Sequence, residues 1–113
     1  MSEWTPEDDK LVTLAKGARS RVQATEGAAA RDTTGRTYAS ANVDRGILRL
    51  SAVELAIGQA VASGATGIEA VVISSDAVQI QIRDIEIVRA IGGQGVLVHL
   101  LAANGDIIIS HLT

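Results

Sequence analysis

Leu50-Ser51-Ala52-Val53-Glu54-Leu55-Ala56-Ile57-Gly58-Gln59-Ala60-Val61-Ala62-Ser63-Gly64-Ala65 is the stretch on which the fold turns. It reads as a helix with a defined start. Ser51 and, three residues on, Glu54 form a capping box: the hydroxyl accepts from the N–H of residue 54 and the carboxylate from the N–H of residue 51. Such a cap is worth about 1 kcal/mol against alanine. Val53, Ile57 and Val61 recur every four residues, and Ala52, Ala56, Ala60 and Gly58 fill the other faces. A helix apolar all round is expected to be buried. Its N-terminus, with free N–H groups and a partial positive charge, is the place to look for a site.

Upstream, Thr5-Pro6-Glu7-Asp8 opens a first helix, with Thr5 as cap, proline where its missing N–H costs nothing, and acids in the first turn. Leu11, Leu14, Ala15, Ala18 and Val22 make its inward stripe, leaving Lys10, Lys16, Arg19 and Arg21 largely outside. Glu26 to Arg31 and Arg36 to Val43 read as a hairpin around Asp32-Thr33-Thr34-Gly35. Gly27-Ala28-Ala29-Ala30 gives the first strand almost no bulk, so a helix is expected to pack close on it. Residues 44–49 are the loop into the capped helix.

Downstream, Gly64-Ala65-Thr66-Gly67 is a stop, and Ile68 to Ser74 is a continuous apolar run of the kind found in central strands. Residues 78–83 alternate like a strand, whereas Ile85, Ile87, Val88 and Ile91 fit a helix ended by Gly92-Gly93. The reading adopted is a loop or short extended piece to about residue 81, then a helix to Ile91, which supplies the crossover that parallel neighbouring strands need. Val96 to Leu101 and Ile107 to Leu112 flank Asn104-Gly105, a strong hairpin signal. The sum is an α/β protein: a five-stranded mixed sheet with about three helices on its faces.

The 113 residues make a single domain over 1–113, with a 47% hydrophobic composition and a net charge of −3 without like-charge blocks. Nucleic acid is not indicated as a partner. There is no cysteine, hence no disulfide and no thiolate ligand, and no apolar run that reads as a signal peptide or membrane span. The expectation is a cytoplasmic protein. Trp4 and Tyr38 are the only aromatic residues, which leaves little for base stacking.

Catalytic machinery is sparse. A two-residue Asn104-Gly105 turn pairs His99 with Ser110 and Val98 with His111, which puts the two histidines on opposite faces unless a bulge or an odd loop shifts the register. The serines lack a nucleophile-elbow context, and Gly92-Gly93-Gln94-Gly95 stands between helix and strand, the wrong order for a dinucleotide fingerprint. What remains is Asn42, Asp44, Arg45 and Arg49, just before Ser51.

Here the chain resembles the small nucleoside-type cytidine deaminases. Those proteins have an Asn-Val-Glu strand end, a helix starting Cys-Ala-Glu and a later helix starting Pro-Cys-x-x-Cys. Asn42-Val43-Asp44 is similar to the first motif. Gapless alignment puts Ser51-Ala52-Val53 over the second and Gln81-Ile82-Arg83-Asp84-Ile85 over the third. The resemblance implies a three-layer α/β/α fold and association through the helices beside the site, as a dimer or tetramer. It also places the three zinc-ligand positions at Ser51, Ile82 and Ile85 and the proton shuttle at Val53, none of which can do that chemistry. Glu54 is one residue, about 100°, around the helix from the shuttle position.

The first expectation is therefore a non-catalytic, zinc-less, self-associating deaminase-like protein with no metal and no cofactor. The alternative is a module that binds a nucleoside or nucleotide through Asn42 and Asp44, the ribose-contacting positions that the resemblance carries over, with Arg45 and Arg49 available to a phosphate. Active deamination, or another enzyme class using Asp44, Glu54, Asp76 or Asp84, is the remaining possibility.

Overall fold

Two faces of one sheet, each apolar, organise the molecule. The computed structural model describes residues 4–113; Met1 to Glu3, the start of the polar N-terminal stretch, lie outside the described residues. The strands β1 (Glu26–Asp32), β2 (Thr37–Ala41), β5 (Ile68–Ser75), β6 (Leu97–Leu101) and β7 (Ile107–Leu112) form a sheet in the order β2-β1-β5-β6-β7. The β5–β6 pair is parallel and the other pairs are antiparallel, so the sheet is mixed. Helix α1 (Pro6–Arg21) covers one face, while α2 (Ala52–Ala62) and α3 (Ile82–Gly92) cover the other. This is the expected α/β/α layering. No helix among the described residues is long and apolar enough to cross a membrane.

The first two helices begin where the sequence places them. Thr5 caps α1 in a box with Asp8, and Ser51 caps α2 in a box with Glu54. The buried stripe of α1 is Asp8, Leu11, Ala15 and Ala18. Leu14 and Val22 are exposed, contrary to the expected stripe, because the face that meets the sheet is centred on residues 8, 11, 15 and 18. Arg19 is not a solvated residue either: its guanidinium meets Asp76 at 3.1 Å.

β1 is thin because both of its faces are occupied. Ala29 packs with Leu11, Ala15 and Val72 on the α1 side, and Ala28 and Ala30 pack with Ala56, Ile57 and Val71 on the α2 side. At Gly27 a β-carbon would collide with the Ala15 carbonyl oxygen. The close helix expected over Gly27 to Ala30 is α1, with α2 on the opposite side.

The second strand ends earlier than expected, at Ala41, and residues 44–49 are not a plain loop. Val43 to Leu50 fold out as a small separate hairpin of β3 (Val43–Arg45) and β4 (Leu48–Leu50), with Asp44 opposite Arg49. Gly46 has φ +67°, the first central position that a type II′ turn reserves for glycine. Helix α2 is shorter than the stretch quoted above and is not buried all round. Val61 is 46% exposed, and Gly58, Gln59 and Ala62 are exposed, because the sheet covers only one side of it.

Residues 76–81 are irregular and α3 begins at Ile82, as expected. In the last hairpin His99 does face Ser110, and Val98 faces His111. The route to that register differs from a two-residue turn. Ala102 N–H donates to the Asp106 carbonyl at 2.9 Å, giving a three-residue loop, and a bulge between Leu100 and Leu101 cancels the one-residue displacement. His99 lies on the α1 side, edge-on to Trp4 at 5.1 Å between ring centroids, with Nδ1 2.7 Å from Ser110 Oγ. His111 lies on the α3 side.

Candidate functional site

Ser51 ends the extended chain that follows β4, and its hydroxyl serves two helices. It accepts from Glu54 N–H at 3.0 Å and donates to Asp84 Oδ1 at 2.6 Å. Asp84 stands in the first turn of α3, whose cap is Gln81. The N-termini of α2 and α3 thus converge on one point. A third group comes from β1: Glu26 Oε1 accepts from Ala52 N–H at 3.0 Å. Two carboxylates therefore sit against two helix N-termini, where partial positive charge favours them.

In front of these groups is an open cleft of about 510 Å³, lined by Thr25, Glu26, Asn42, Val43, Asp44, Arg49, Leu50, Ser51, Glu54, Gln81, Arg83 and Asp84. Four carboxylates face two guanidinium groups, and both guanidinium groups are engaged. Arg83 donates to Glu54 Oε2 at 2.7 Å, and Arg49 to Asp44 Oδ1 at 3.0 Å. The ion pair with Arg83, then the Ser51 N–H, holds Glu54 below the usual carboxylate range. Burial pushes Asp84 and Glu26 above it, against the Ser51 hydroxyl in one case and the Ala52 N–H in the other. A narrower pocket of about 60 Å³ adjoins them, lined by Glu26, Asp84, Ser75 and Gln81 together with apolar residues such as Ile73 and Leu100.

The residues singled out in the sequence separate clearly. Asn42 is at the cleft, but its side-chain oxygen accepts from Glu26 N–H at 3.0 Å, tying the end of β2 to the start of β1. Asp44 and Arg49 line the rim as an exposed pair. Arg45 is exposed on β3 and does not line the cleft. Ser51 faces the cleft, whereas Val53 is wholly buried in the core. Ile82 is 76% exposed and Ile85 is buried in the core; neither lines the cleft. The α3 residues that do are Gln81, Arg83 and Asp84, because a cap at 81 turns 81 and 84 toward Ser51. Among the candidate carboxylates, Asp76 pairs with Arg19 outside the cleft. Glu26 and Gln81 were not singled out. Gln81 to Asp84 has the three-residue spacing of a helix start, and Glu26 is the acid that opens β1 just before its glycine and alanine run.

Zinc is bound by thiolate, imidazole and carboxylate in a tetrahedral set. The cleft offers the hydroxyls of Thr25 and Ser51, neutral amides, and carboxylates already committed to N–H groups, to arginine or, for Asp84, to the Ser51 hydroxyl. Among the described residues no group of three or more His, Cys, Asp or Glu could hold a metal ion. The donor set does not fit zinc.

The fold is shared with solved structures. Cytidine deaminase from Burkholderia pseudomallei superposes with a TM-score of 0.80 at 20% identity, over 97% of this chain and 92% of that one. The cytidine deaminases from Mycobacterium leprae and Mycobacterium tuberculosis give 0.68 and 0.69, each at 21% identity, over 92% and 83% of this chain and 91% and 85% of theirs. None of the curated proteins matches the sequence significantly. The family model for cytidine deaminase-like proteins matches residues 4–105, nearly the whole of the layered fold built above, and the chain belongs to that cytidine deaminase-like family.

Proposed function

We propose that this protein is a non-catalytic member of its family, a zinc-less domain that works by associating with copies of itself. One observation carries the reading. The helix that begins the site turns an apolar side outward, with Val61 46% exposed beside Gly58 and Ala62, and the neighbouring hairpin tip leaves Ile47 fully exposed and Leu48 at 52%. Apolar area removed from water is worth about 25 cal/mol per Å², so covering these exposed apolar side chains gives association a driving force. The donor set supports the absence of deamination, since activation of water by zinc needs ligands the cleft lacks.

Sedimentation velocity across a concentration series tests the reading. The wild type is expected to associate and Val61→Lys to dissociate it; a strict monomer at every accessible concentration would overturn the proposal. Ammonia release from cytidine with added zinc is expected to be absent, and measurable turnover would overturn the non-catalytic part.

The open cleft favours a second reading, in which it holds a small polar ligand. Its excess of carboxylates favours an unphosphorylated nucleoside over a nucleotide. Titration calorimetry with cytidine, uridine and their monophosphates should then give heat for the nucleosides alone. No heat at millimolar ligand removes this reading.

A further inference from the structure

Ser74 and Ser75 end β5 with their side chains on opposite faces of the sheet. Ser75 lines the narrow pocket beside the cleft and accepts from Ala77 N–H at 3.1 Å. Ser74 is 1% exposed, and among the described residues no group hydrogen-bonds its hydroxyl. Buried polar side-chain atoms are normally paired, and each exception calls for a cause. Here Ser74 lines a second cavity, of about 420 Å³, on the α1 side of the sheet. Lys16, Arg19 and Ser20 wall it from the last turns of α1, with Gln23 just past the helix end and Asp76 just past β5. Gly27 brings the two sides together. It pairs with Ser74 across the sheet and, having no side chain, lets Arg19 of α1 lie against the strand.

We propose that this cavity binds the oxyanion of a small metabolite, a phosphate or carboxylate group held by Lys16, Arg19 and the Ser74 hydroxyl. The cavity is separate from the cleft and from the apolar side of α2, so the proposal stands or falls apart from self-association. Arg19 is already aimed: its Nε donates to the Ala24 carbonyl at 3.3 Å, and its Nη2 meets Asp76 Oδ2 at 3.1 Å. The Asp76 side chain is 81% exposed, and such a surface pair adds little on its own. Its carboxylate shows where an oxyanion meets this guanidinium. A ligand oxyanion that also takes Lys16 and Ser74 gains more charge-assisted hydrogen bonds than Asp76 makes, and so displaces it. Lys16 enters no ion pair among the described residues. Lys16 and Arg19 outweigh Asp76 here, the reverse of the cleft, where four carboxylates face two guanidinium groups. The negative end of the α1 dipole is blunted, because the Gln23 and Ala24 N–H groups donate to the Ser20 and Arg19 carbonyls at 3.2 and 3.0 Å.

Backbone amide NMR shifts test it, with inorganic phosphate and, separately, acetate titrated to millimolar concentrations at an ionic strength held constant with sodium chloride. Saturable shifts are expected at residues 16–24 and 74–76. Saturation by phosphate alone assigns a phosphoryl group, by acetate alone a carboxylate, and by both an oxyanion of either source. Ser74→Ala is expected to weaken binding about tenfold, the loss of one hydrogen bond to a charged group. Lys16→Gln should weaken it too, whereas Lys10→Gln, the same change of charge elsewhere on α1, should leave it unchanged. Asp76→Asn is expected to tighten binding, because the competing carboxylate is gone. Circular dichroism melts establish that the variants fold; Lys16, Lys10 and Asp76 are exposed, so those three decide if Ser74→Ala does not. No saturable shift at these residues with either anion overturns the proposal. So does an equal loss in Lys10→Gln and Lys16→Gln, which would be a response to net charge alone.

Discussion

At Gly27 the backbone of β1 lies against Ala15 and Arg19 of α1 with no room for a methyl group. Gly27→Ala is expected to cost about 1–3 kcal/mol through overpacking, read as a lower denaturant midpoint at unchanged slope. Asp84 gives a test of sign. Burial raises its folded-state pKa, so the folded protein holds this proton more tightly than the unfolded chain. Its contribution to stability is then fullest in acid and falls as pH rises from the ordinary carboxylate range through the raised value. Asp84→Asn, which can still accept from Ser51, should flatten that fall and raise stability at neutral pH. Melts from pH 4 to 8 on both proteins would check it, and an unchanged pH profile would refute it. The role of Gly27 was legible, because a run of glycine and alanine in a strand has few explanations. That of Asp84 was not: an acid in a polar stretch looks solvated until the start of α3 is fixed to the residue, and one residue of error turns it from the cleft to the surface.

The helices and the hairpins differ in how far local chemistry determined them. The Ser51 capping box and the Thr5 cap could be read because a helix start is specified by its own local donors and acceptors, whereas the return bond from Asp8 that completes the box at Thr5 emerged only in the structure. The outer side of α2 could not, since alanine and valine do not reveal which side of the helix the sheet covers. In the β6–β7 hairpin the expected register holds while the turn does not, because the loop adds one residue of displacement and the bulge removes it. The excursion of β3–β4 was hidden for a related reason: Asn42, between the end of β2 and the start of β3, is tied to Glu26 of β1 through both its side-chain oxygen and its own N–H. Ile47 at the tip of this excursion is wholly exposed. Ile47→Asp is therefore expected to change stability by less than about 0.5 kcal/mol while lowering the association constant, a split that melting and sedimentation together would resolve.

Across the whole molecule, the layered fold coincides with that of the Burkholderia cytidine deaminase at 20% identity, while the cleft has a hydroxyl, amides and carboxylates at its centre. Layer order was legible because it depends on apolar periodicity, which many sequences satisfy; the composition of the cleft depends on single positions. The thinness of β1 has a kinetic counterpart. Its segment from Gly27 to Ala30 has almost no side chain with which to hold itself in place, so the hydrogen bonds of that segment to β2 and β5 persist only while α1 and α2 press on it from both sides. Neither helical layer can then open alone without loosening the other. The amides of Ala28 to Ala30 should exchange with deuterium only through global unfolding, at a free energy equal to that from denaturant melts. Faster, sub-global exchange at these amides would mean that the layers open separately.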